Sequence, residues 1–142
     1  MKMKPQMMIK MAAAYMMASA VIWSAGVWLL ELPSPLGTQT WTTWLGGPIL
    51  VLVCASFISY LLVTYHSTGL LFTKIWMLCN VCLSGYSLFM TFNDLMLAGG
   101  CLAILLGSLW FLKELERPEM KGAYTAISAL HKQMWNALSG QQ

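Results

Sequence analysis

Charge is what this chain has least of. Eight Lys or Arg and five Asp or Glu stand among 142 residues, 9% in all, where an ordinary soluble domain carries roughly 25%. A water-facing surface cannot be assembled from so few ionic groups, so a soluble globular fold is excluded. There is no basic stripe, which removes nucleic acid as a partner. No Ser-His-Asp or Cys-His arrangement, phosphate loop or zinc-protease helix occurs, and the only histidines are His66 and His131. The chain therefore reads as non-catalytic and without a cofactor. Cysteine is missing from the loops: Cys54, Cys79, Cys82 and Cys101 all sit in apolar stretches, unlike the framework of a secreted disulfide-rich domain.

What the chain does have is apolar sequence, 58% of it, in four blocks at about 11–30, 48–65, 70–92 and 95–112. At about 1.5 Å per helical residue, blocks of this length match a hydrocarbon core of about 30 Å. Lipid offers the backbone no hydrogen-bond partners, so each block must satisfy its own and become a helix. Punctuation agrees. Glu31 and Leu32-Pro33-Ser34-Pro35 stop the first block, and Trp41 and Trp44 are placed as interface anchors. Gly46-Gly47-Pro48 opens the second block, with proline at the first helical position. Tyr65-His66-Ser67 closes it, Lys74 near the start of the third block is placed to snorkel to the headgroups, and Asn93-Asp94 ends that block. The expected fold is an all-α membrane protein: four transmembrane helices as two antiparallel hairpins in residues 1–112, then an amphipathic cytoplasmic tail in residues 113–142.

Basic residues at 2, 4, 10, 74, 113, 117, 121 and 132 all fall on one side when the chain crosses four times. The positive-inside rule makes that side cytoplasmic and predicts a bacterial-type inner membrane protein with both ends inside. A competing reading cleaves residues 1–20 as a signal peptide, because Lys2, Lys4 and Lys10 precede an apolar run and Ala18-Ser19-Ala20 resembles a cleavage site. Apolar character continues to Leu30, which favours a retained span. In the tail, Met120, Ala123, Tyr124, Ile127, Leu130, Met134 and Leu138 recur by three and four, so one helical face is apolar. That face is expected on the headgroups or on a partner.

Four constellations carry possible chemistry. Cys79 and Cys82 share a helix face and, by helical rise, Cys82 lies about 12 Å deep with Cys54 and Cys101 at about 16 Å. A thiolate site for a soft metal, or disulfide redox, is the alternative function this allows. Against it stands cysteine's frequent use as a small buried packing residue. Gly99, Ala103 and Gly107 form a small-residue ladder for close helix contact, with a looser version at Ala14, Ala18, Ala20 and Ser24. Methionines at 1, 3, 7, 8, 11, 16 and 17 read better as flexible filler than as copper ligands. No Asp, Glu, Arg or His sits mid-span, which argues against a pump, and Asn80 is expected to bond a neighbouring helix. The leading expectation is a small accessory subunit, regulator or immunity/exclusion-type protein of a membrane assembly. Its partners would be the lipid bilayer and other membrane subunits or itself. Small-solute permeation ranks last, for want of a polar stripe on any helix.

Overall fold

A computed structural model describes residues 4–29, 41–90 and 95–140, with side chains for 4–26, 46–89 and 95–140. All regular elements among them are helices: α1 (Pro5–Leu29), α2 (Trp41–Val63), α3 (Gly69–Met90), α4 (Leu95–Leu115) and α5 (Pro118–Leu138). The first four are long and apolar enough to cross a membrane, over Pro5–Gly26, Gly46–Val63, Gly69–Phe89 and Leu95–Leu115. This is the architecture of a multi-pass membrane protein. The stop at Glu31 with its two prolines, the Asn93-Asp94 boundary and the side chains of Trp41 and Trp44 lie outside the described residues.

Helix ends differ from the apolar blocks for identifiable reasons. α1 starts at Pro5 rather than near residue 11, because Met8 and Ile9 are buried while Lys10 points outward. α2 starts at Trp41, so Pro48 stands inside the helix and not at its first position. Its missing N–H leaves one carbonyl a turn earlier without a helical donor, a loss that spans tolerate when neighbouring helices compensate. That carbonyl belongs to Trp44; the Ser24 Oγ of α1 donates instead to the carbonyl of Pro48 itself, at 3.4 Å. α4 runs past residue 112 to Leu115, where Phe111, Glu114 and Leu115 are buried.

α1 packs most extensively on α2 and α3 on α4, while α5 touches α1 and α4. The main buried cluster joins Met8, Ile9, Ala12, Ala13 and Met16 of α1 to Leu62, Met77, Phe111 and Leu115, and Met120 and Tyr124 of α5 close it. Outward faces carry Val53, Phe57, Leu71, Leu78, Leu102 and Leu106, all exposed. Lipid tails are as apolar as these side chains, so burial against water does not hold the spans together; close packing and buried hydrogen bonds must.

The turn between α2 and α3 is unusually tight. Tyr65 takes a left-handed φ of 55°, the His66 N–H bonds the Leu61 carbonyl at 2.9 Å, and the Tyr65 N–H bonds that of Leu62 at 3.2 Å. That pair of bonds is a Schellman cap, usually completed by glycine. Tyr65 accepts the strain while its ring lies 5.4 Å from that of Tyr124. Directly after the turn, a Cβ on Gly69 would stand 2.5 Å from both the Leu61 carbonyl oxygen and the Tyr124 hydroxyl. Only glycine admits that approach.

Candidate functional site

Polar side chains collect inside the bundle, at three levels. Deepest is a network between α1 and α3. Asn80 Nδ2 donates to Ser19 Oγ at 3.0 Å, Trp23 Nε1 donates to Asn80 Oδ1 at 3.2 Å, and Trp76 Nε1 donates to Ser19 Oγ at 3.3 Å. Ser19 in turn donates to the Met16 carbonyl at 2.9 Å. The amide of Asn80 thus has a partner at each end, as an apolar medium requires. One turn further along, Ser84 Oγ is fully buried with no hydrogen-bond partner among the described residues. Asn80 was expected to bond a neighbouring helix, and it does.

A second contact joins α1 to α4. The Tyr15 hydroxyl donates to the Ile104 carbonyl at 2.6 Å and lies 2.9 Å from Ser108 Oγ. Its ring stacks on Phe111 at 4.8 Å and covers Gly107, where a Cβ would come within 2.9 Å of the Tyr15 ring.

The third level is the bundle end under α5. Glu116 bridges Lys74 of α3 and Lys121 of α5, the latter at 2.7 Å, and Arg117 pairs with Glu114 at 2.7 Å. The lysine hydrogen bonds, that of Lys121 first, hold the Glu116 carboxyl down at about 2. Lys74 therefore meets a carboxylate rather than only headgroups. Beside this bridge the Tyr124 hydroxyl donates to the His66 carbonyl at 2.6 Å, and burial pushes it up to about 12. Aromatic contact continues to His131, whose ring is 6.3 Å from Tyr65.

No family model, curated protein or solved structure matches this chain. Its chemistry has to be judged from its own residues.

The small-residue ladder on α4 divides. Gly107 meets Tyr15, whereas Gly99 and Ala103 are exposed and Gly99 has nothing within 4 Å of a would-be Cβ. On α1, Ala20 is buried, Ser24 partly so, and Ala14 and Ala18 are exposed. Cys54, Cys79 and Cys82 are exposed and Cys101 is half-buried, all as free thiols. Among the described residues no three His, Cys, Asp or Glu side chains gather in a group able to hold a metal.

The sequence reading missed the interior polar stripes, and its statement that no helix carries one needs correction. Tyr15, Ser19 and Trp23 recur every four residues on α1, and Trp76, Asn80 and Ser84 do the same on α3. Spacing alone was a sufficient signal, since residues four apart share a helix face. Ser19 and Trp23 bond Trp76 and Asn80 across the two stripes, while Tyr15 bonds α4.

Proposed function

We propose that this chain is a non-catalytic inner-membrane protein of bacterial type, acting as an accessory subunit, regulator or immunity/exclusion-type protein of a larger membrane assembly. Its spans form two antiparallel hairpins with both termini in the cytoplasm, and its helix faces and tail make the contacts. The observation that carries this reading is the outer face of α4. There Gly99 and Ala103 leave a shallow strip flanked by exposed Leu95, Met96, Leu102 and Leu106, and α4 is the least buried of the four spans. Small residues let another helix approach closely; on α4 Ala103 is exposed, and among the described residues nothing stands within 4 Å of a Cβ on Gly99. Support for the orientation comes from the bundle end: Lys74, Arg117 and Lys121 are drawn together there by Glu114 and Glu116.

A photo-crosslinking amino acid placed at position 103 in native membranes tests it. A discrete protein adduct is expected from position 103, and Ala103→Trp should abolish copurification of that protein in mild detergent without unfolding the chain. An isolated monomer whose position 103 labels only lipid would refute the reading.

A further inference from the structure

α5 does not continue α4. It turns at Arg117 and lies across the end of the bundle, since Met120 and Tyr124 close the cluster built from α1, α2 and α4 and the Tyr124 hydroxyl reaches the α2–α3 turn. The face it presents to the bundle end is set by Met120 and Tyr124. Ile127, His131, Met134 and Leu138 continue that face by threes and fours, with Leu130 and Trp135 beside it. From Tyr124 to Leu138 is about 21 Å of helix, at least the width of one neighbouring helix. Residues 129–140 are exposed throughout, with Leu130, Met134, Trp135 and Leu138 among the large apolar side chains left uncovered.

We infer that the distal half of α5, residues 128–138, lies on the surface of the surrounding leaflet and binds anionic phospholipid headgroups. This rests on the multi-pass reading and holds with or without a protein partner. Direction is the first argument. In a bundle surrounded by lipid, the side of α5 that caps the bundle end faces the bilayer, and beyond the bundle's edge the same side meets the lipid around it. Charge is the second. Glu119 and Lys121, the latter paired with Glu116, lie at the docked start of α5, and its distal half carries Lys132 with no Asp or Glu. Lys4, Lys10 and Lys113 are exposed and flank the same bundle end. A basic amphipathic helix in the interfacial plane gains from both apolar burial and anionic lipid, and Trp135 is of the type that settles at headgroup depth. A soluble acidic protein would satisfy the lysines but not the direction of the apolar face.

Hydrogen–deuterium exchange of the full chain, one copy per lipid nanodisc, tests the inference. Discs of phosphatidylcholine alone are compared with discs holding an equal share of phosphatidylglycerol. Amides of residues 128–138 should exchange at least about fivefold more slowly in the anionic discs, a factor expected from one basic residue near such a surface. Lys132→Ala should remove about that factor, and Trp135→Ser with Leu138→Ser should remove protection in both disc types. Equal exchange in the two discs, or free exchange in both, overturns the inference while protected spans leave the multi-pass reading standing. Free exchange of the four spans themselves would instead sink that reading.

Discussion

Asn80 shows how one side chain can fix two helices in lipid. Its amide engages Ser19 and Trp23, and Ser19 also accepts from Trp76. Removing it takes the acceptor from the Trp23 indole N–H in a medium that supplies none, while Ser19 Oγ loses one donor and keeps Trp76 and the Met16 carbonyl. We expect Asn80→Ala to cost about 1–2 kcal/mol of stability, measured by reversible unfolding in bicelles. A neutral result would mean that α1 and α3 are held by packing alone. The role of Asn80 was legible because an amide mid-span needs partners wherever it sits. Its partners were not, because Ser, Tyr and Trp are ordinary residues in apolar blocks and only the fold says which of them face inward. Gly107 divides from Gly99 and Ala103 for the same reason: a ladder in sequence names a helix face, while the neighbour decides which rungs are used.

At the scale of the element, α5 is held to the bundle by two groups that titrate in opposite directions. Glu116 sits at about 2 against an ordinary 4.5 because Lys121 and Lys74 bond its charged form. The stabilisation is present above pH 4.5 and is lost as pH falls toward 2. Its size is small, since the carboxylate is open to solvent. Tyr124, raised by burial from 10.0 to about 12, works the other way: its contribution is present below pH 10 and is lost as pH rises toward 12. The unfolding midpoint should therefore fall at both extremes. Glu116→Gln should flatten only the acid arm and Tyr124→Phe only the alkaline arm. A shared response of both arms to either substitution would show that the two groups do not act separately. The amphipathic stripe of α5 was readable from spacing. Its division into a docked half and an exposed half was not, since Met120 and Met134 look alike until the bundle beneath them is built.

For the whole molecule, large apolar side chains are exposed along the spans, while Ser19, Thr73, Asn80, Ser84 and Ser108 are buried beside an apolar cluster. Four long apolar helices were evident from block length alone, and the starts of α3 and α4 with them, while the starts of α1 and α2 and the end of α4 were not. Hydropathy marks where lipid-compatible sequence stops, whereas a helix stops where its capping bonds are found, as at Tyr65 and His66. Reporter fusions at residue 40 and residue 142 should fall in opposite compartments, with residue 142 in the cytoplasm. Placement of both in one compartment would remove the four-span reading. Cysteine replacement belongs to this scale too. Cys54, Cys79 and Cys82 are exposed, so replacing them by Ser removes no buried contact.

The left-handed Tyr65 carries a consequence for the order of synthesis. Translation proceeds from the amino end, so the turn after α2 emerges well before the helix that supplies Tyr124. Until that helix arrives, Tyr65 holds its awkward backbone with no ring beside it, and the gap above Gly69 stands open. A chain cut short before residue 124 would keep its spans but leave this corner unlatched, open to quality-control proteases that seek loose turns at the membrane surface.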